Sequence, residues 1–257
     1  MSDKVLKSMD GRVLVLRLNR VHKKNALSLE MYAALADALN EAADDKQVRA
    51  VLLGGEGDTF CAGNDLMDFM ANPPEGLDSP VGRFLAAMVD FPKPWVIAVH
   101  GAAVGIGVTM LLYADLAYAA EGTTFRMPFV QLGLAPEAGS TYLLPRALGY
   151  RKAAELLLTG DRFGTELAME GGFLSEVLPA YEVWERALSR ARYLAKQPPG
   201  AMRDAKALIR QPDKEAVHAA MQREGEVFIS RLASPETAEA IGAFFQKREP
   251  DFDQFDE

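Results

Sequence analysis

The chain has 257 residues, with 28 Lys and Arg against 36 Asp and Glu for a net charge of −8, and 49% of it is hydrophobic. That is the make-up of a folded globular protein, not a disordered one, and its length allows one large domain, or one with a smaller appendage, with a core that needs no disulfides. The charge opposes capture of nucleic acid or anionic lipid, no run of about 18 apolar residues spans a membrane, and His22, His100 and His218 lie too far apart around the single thiol of Cys61 to build a zinc site.

The N-terminus, with Asp3, Lys4 and Lys7 and no apolar core behind them, does not read as a secretory signal, so a protein that is not secreted is expected. Val13 to Leu18 reads as a buried strand, and Ser28 opens a helix with Leu29, Ala33, Ala36, Leu39 and Ala43 at helical spacing. Ala50 to Leu53 is the next strand, followed by a turn rich in glycine (Gly54, Gly55, Gly57), a short strand around Phe60 and a helix from Asp65. The stretch from Asn72 to Pro80, with three prolines, reads as a mobile loop. Trp95 to Val99 is a strand, Val104 to Tyr113 a helix and Leu116 to Ala120 a strand. Such alternation predicts an α/β core with mostly parallel pairing.

From about Gly139 the chain turns helical apart from a strand at Leu174 to Leu178. Pro198-Pro199-Gly200 marks a boundary between a core (1–197) and a C-terminal helical region (198–257) holding three helices, the last opened by Ser234-Pro235-Glu236. The acidic segment from Asp251 to Glu257 is expected to fray.

Two turns carry chemistry. Gly101 to Gly107 joins a strand to a helix but lacks both the Gly-Lys-Ser/Thr of a phosphate loop and the third glycine of a dinucleotide fingerprint. What remains is a close-approach turn with free N–H groups, suited either to tight packing or to a carbonyl oxygen gaining negative charge. Phe60 to Leu66 is a second such turn, in which Asp65 reads first as a helix cap and Cys61 as a small buried side chain. His100 reads as a hydrogen-bonded strand-end residue. Glu137 stands among small and apolar neighbours where a helix should begin; burial would raise its pKa and a helix N-terminus lower it, so its direction is open.

Taken together, Asn25-Ala26-Leu27-Ser28, the Phe60 to Leu66 turn, Lys93-Pro94 with Gly101 to Gly107, Leu132-Gly133-Leu134 with Pro136, and Leu158-Thr159-Gly160 resemble the crotonase superfamily of enoyl-CoA hydratases and isomerases. The resemblance runs from about Val13 to Phe252. It implies a crotonase-type spiral of ββα units, with C-terminal helices that assemble a homotrimer or dimer of trimers. It also implies that the peptide N–H groups of Asn64 and Ile106 form an oxyanion hole for a thioester carbonyl. Lys24, Ala62, Gly63, Asp65 and Leu66 would line the path of an acyl-CoA substrate, with Phe228 and Lys247 helping from a neighbouring subunit. CoA enters as part of the substrate, and no separate cofactor or metal is implied.

Family hydratases carry two glutamates, and the matching positions here hold Thr109 and Phe129. Neither can act as a base. The Gly-Asn-Asp-Leu turn, the Val-Gly-Ile segment and the Pro-Glu at Glu137 are instead similar to peroxisomal-type Δ3,Δ2-enoyl-CoA isomerases, in which Glu137 would be the base. The chain has neither the N-terminal acyl-CoA-binding extension of some of those proteins nor, in Phe255-Asp256-Glu257, a peroxisomal address, so a cytoplasmic enzyme is expected. The alternatives are a residual hydratase, a hydrolase or dehalogenase using Glu137 as nucleophile, and a CoA-thioester binding protein without turnover.

Overall fold

The computed structural model describes residues 3–74, 76 and 78–255. Strand β1 (Val5–Asp10) turns back into β2 (Val13–Leu18), helix α1 (Leu29–Asp44) follows, and β3 (Ala50–Gly55) lies parallel beside β2. Helices α2 (Leu66–Ala71) and α3 (Pro80–Asp90) precede β4 (Trp95–Val99), and β5 (Ala102–Val104), the short α4 (Ile106–Thr109), β6 (Leu116–Ala120) and β7 (Thr124–Arg126) end the alternating part. Then come α5 (Ser140–Leu148), α6 (Tyr150–Thr159), β8 (Arg162–Phe163), α7 (Thr165–Glu170), β9 (Glu176–Leu178), α8 (Ala180–Ala195), α9 (Pro199–Leu232) and α10 (Pro235–Gln246).

The large sheet has the order β1-β2-β3-β4-β6-β9 and is parallel except for the β1–β2 hairpin. Its central strands read as unbroken apolar runs because both faces are buried. Leu16, Leu18, Val51, Leu53, Ile97 and Val99 enter a core shared with α1 and α3, while Val13, Val15, Ala50, Leu52, Val96 and Ala98 alternate onto the face covered by α8. A second sheet has the order β5-β7-β8, and Cys61 joins it through a bridge to Ala103. Each pass of the chain thus adds a strand to the large sheet, an extended segment to the small one, and then a helix: β3, Cys61 and α2; β4, β5 and α4; β6, β7 and α5. This is the ββα spiral that the family resemblance implied.

Several elements differ from the sequence expectations. Strand β1 goes unread because it is an edge hairpin in which Val5 alone is buried; its signal is the Asp10-Gly11 turn, with Gly11 at φ 56°. The strand around Phe60 shrinks to a single bridge, and the strand near Leu174 starts at Glu176. Val104 ends a strand, so the Val104–Tyr113 helix is instead α4 followed by a 3₁₀ turn at Met110–Tyr113. The three C-terminal helices are two, because Pro212 is carried inside the 34-residue α9. Pro212 is exposed, so the Leu208 carbonyl it leaves unpaired can be solvated. The start of the acidic terminus is anchored, the Asp251 N–H donating to Glu239 at 2.8 Å, while Asp256 and Glu257 lie outside the described residues, as do Glu75 and Leu77 of the 72–80 loop.

Candidate active site

Asn25 builds the first wall. Its buried side chain accepts from the Arg20 N–H at 2.8 Å and donates to the carbonyls of Glu56 and Thr59 at 2.8 and 2.7 Å. Those bonds hold Lys24 and Asn25 in left-handed conformations at φ 50° and 56°, which side chains other than glycine seldom adopt. The Ala62 N–H then bonds the Lys24 carbonyl at 3.0 Å, Leu27 N–H the Gly63 carbonyl at 2.7 Å, and Asp65 N–H the Leu27 carbonyl at 2.9 Å. The segment from Lys24 to Leu27 therefore runs beside Ala62 to Asp65.

The second wall is Gly101 to Gly107. Val104 N–H donates to the Cys61 carbonyl at 2.9 Å and Cys61 N–H to that of Ala102 at 3.2 Å. A Cβ on Gly107 would stand 2.9 Å from Cys61 atoms, and one on Gly63 would stand 3.1 Å from the Val104 carbonyl oxygen, so the two turns meet backbone to backbone. Gly105, at φ 54° and ψ −120°, lies in a region reserved for glycine and turns the chain into α4. Among the described residues no acceptor is paired with the N–H of Asn64 or of Ile106, the first residue of α4. The side chain of Asn64 is held elsewhere: Tyr32, buried on α1 against Phe69 and Phe84, donates from its hydroxyl to Asn64 Oδ1 at 2.5 Å. Burial, and then the negative charge of Glu137, push the Tyr32 hydroxyl well above its ordinary pKa, so it stays a donor. The Cys61 thiol, pushed up to about 12 mainly by burial, is no nucleophile.

Glu137 is 7% exposed. Thr109, on α4, donates from Oγ1 to Glu137 Oε1 at 2.6 Å, and among the described residues no donor holds the other oxygen. The helix starts later than the sequence implied: α5 begins at Ser140, and Glu137 lies before a pair of left-handed residues, Ala138 at φ 58° and Gly139 at φ 69°. It is therefore not a first-turn acid. Burial raises its pKa to about 8; the Thr109 hydrogen bond opposes the rise and the charge of Glu224 adds to it. A carboxyl group with that basicity, buried and with one oxygen free, can take up and return a proton near neutral pH.

The other expected residues divide. Asp65 is consumed structurally: its side chain pairs with Arg20 at 2.6 Å and caps α2 through the N–H groups of Met67 and Asp68, while its own N–H and carbonyl are bonded to Leu27 and Phe69. Lys24 and Lys247 are exposed, and Ala62 and Leu66 are half-buried. Phe228 packs into the core of its own chain, 7% exposed. His100 donates from Nε2 to the Gly57 carbonyl, 3.0 Å away, as a strand-end residue would. Phe129 is buried and apolar. Thr109, Tyr32, Tyr113 and Glu224 carry no motif of their own; only the position of Thr109, matching a family glutamate, marked it beforehand. Among the described residues no group of His, Cys, Asp and Glu could hold a metal ion, and no helix is long and apolar enough to cross a membrane.

Residues 8–255 match the family model for enoyl-CoA hydratase/isomerase. Enoyl-CoA delta isomerase 2 of Rattus norvegicus is 36% identical over 251 residues, 95% of this chain and 64% of the relative, so the chain spans less than two thirds of that protein. The 1,2-epoxyphenylacetyl-CoA isomerase of Escherichia coli (strain K12) is 35% identical over 98% of this chain and 99% of its own. Among solved structures, an enoyl-CoA hydratase/isomerase from Pseudoalteromonas atlantica T6c superimposes with a TM-score of 0.93 at 44% identity, covering 97% of this chain and all of the other.

Proposed function

The chain belongs to the enoyl-CoA hydratase/isomerase family, and we propose that it is a Δ3,Δ2-enoyl-CoA isomerase with Glu137 as its one base. The observation that carries this reading is the buried Glu137, held on one oxygen by Thr109 and free on the other. A thioester α-proton can be removed only where the enolate oxygen is stabilised, and two preorganised peptide donors, Asn64 and Ile106, do this without reorganising. In a 3-enoyl thioester, loss of the C2 proton gives a dienolate delocalised to C4. One carboxylate then accepts the proton at C2 and returns it at C4, so no second acid is needed. Hydration requires a held water and a second acid, and Thr109 and Phe129 stand where the family's hydratases carry theirs. A paired assay tests this: 3-hexenoyl-CoA should be converted at least about 100-fold faster than crotonyl-CoA is hydrated, and hydration at an equal rate would overturn the reading.

The acyl-CoA lies, in this reading, along the paired segments of Lys24 to Leu27 and Ala62 to Leu66. An acidic protein must grip the CoA phosphates with particular cations, and the exposed Lys24 sits at the mouth of that path. Lys24→Ala is expected to raise KM about fivefold with kcat unchanged, an effect that shrinks as salt is added; a KM within error of wild type removes Lys24 from the path. Assembly as a trimer or dimer of trimers, and a cytoplasmic location, belong to the same reading. Phe244 and Phe245 on α10 stand 62% and 50% exposed, an apolar face that association would cover. Light scattering at micromolar concentration should return at least three times the mass of one chain.

A further inference from the structure

The turn that presents Glu137 is strained. Ala138 is left-handed at φ 58° without being glycine, and the surrounding structure has to hold it. Tyr113 donates from its hydroxyl to the Ala138 carbonyl at 2.5 Å. Three more bonds come from a residue 87 positions after Glu137. Glu224, buried on α9, accepts the Gly139 N–H on Oε2 at 2.6 Å, and on Oε1 accepts both the Thr141 N–H at 2.9 Å and the Thr141 hydroxyl. Gly139 and Thr141 open α5, whose first residues supply no side-chain cap of their own. Glu224 is thus the missing cap, brought in from another helix.

We propose that Glu224 is a positioning residue: its carboxylate clamps the Ala138–Gly139 turn that presents Glu137, and it sets a second negative charge behind that base. The inference rests on the reading of Glu137 as the base. Each named contact of Glu224 is a donor, which favours its charged form, although burial raises its own pKa. The ionisable groups around the pair are few. Tyr32 on α1 and Cys61 in the 60–66 turn feel the Glu137 charge, Tyr113 feels both glutamates and Arg210, and Arg223 on α9 opposes Glu224. Glu224 is the one acid among them, and its charge favours the protonated form of Glu137, which makes Glu137 a stronger base once deprotonated.

The test compares pH profiles of 3-hexenoyl-CoA isomerisation for wild type, Glu224→Gln and Glu224→Asp. Glu224→Gln removes the charge and one acceptor; the acid limb of kcat/KM should move down by about one pH unit and the plateau fall several-fold. Glu224→Asp keeps the charge on a shorter arm; its limb should stay in place while kcat drops about tenfold at nearly constant KM. An unmoved limb in folded Glu224→Gln overturns the charge effect, and wild-type kcat in Glu224→Asp overturns the clamp. Should Glu224→Gln fail to fold, the aspartate variant still decides the clamp, since a merely structural cap would lower Tm and leave its kcat untouched. A wild-type profile without an acid limb, or an active Glu137→Gln, would instead count against Glu137 as the base.

Discussion

Glu137→Gln is expected to lower kcat for 3-hexenoyl-CoA by at least about 100-fold with little change in KM, because the amide still accepts the Thr109 hydrogen bond but cannot accept a proton. With Glu137 as the proposed base, the reactive form in the wild type is the carboxylate, so kcat/KM should rise with pH and level off above about 8. The same carboxyl makes an opposite demand on stability. With its pKa raised in the folded state, Glu137 binds a proton that the unfolded chain has already lost between about pH 4.5 and 8, so the native state weakens as pH rises through that window. Glu137→Gln removes that penalty. Its Tm should climb relative to wild type between pH 5 and pH 9, by an amount equivalent to roughly a few kcal/mol. An active variant would show that Glu137 is not the base, and a Tm difference independent of pH would show that its carboxyl does not titrate as described.

Ile106→Pro should abolish turnover, whereas Ile106→Val should retain most of it. Proline removes the peptide N–H proposed to face the thioester oxygen, a loss of about 100- to 1000-fold at comparable sites, while valine keeps that N–H. The pair also controls for packing. Ile106 is fully buried, so the missing methylene in valine costs about 0.5 to 1.5 kcal/mol of stability without touching the donor. Ile106 is the first residue of α4, where proline is tolerated by a helix. Circular dichroism should therefore show both variants folded, and equal activity in the two would refute the oxyanion role.

The parts of the site carried by local chain geometry were readable beforehand. Gly101 to Gly107 and Phe60 to Leu66 announce themselves because a close backbone approach needs glycine at Gly63 and Gly107, and a positive φ needs it at Gly105, whatever the rest of the chain does. The sheet was readable for a similar reason, since a strand buried on both faces has to be continuously apolar. What escaped was assembled across distance. Tyr32 looks like any core aromatic of an amphipathic helix until the fold lays it on Asn64, and Glu224 looks like one more charge on a long polar helix until α9 crosses α5. The titration of Glu137 could not be read either, because its burial and the late start of α5 are both products of tertiary packing.

The two proposed oxyanion donors are main-chain groups, and a gene does not encode a peptide N–H one residue at a time. Nearly any substitution at Asn64 or Ile106 that preserves the turn leaves the donor in place, with proline as the exception. The proposed base Glu137, its partner Thr109 and the apolar Phe129 act through side chains, each one codon from something else. The scaffold is therefore inherited in two parts of unequal durability. The proposed capacity to stabilise an enolate is resistant to mutation, while the choice of where its protons come from and go to is open to revision. Changes at those three positions can retune the reaction without the protein first losing its hold on the intermediate.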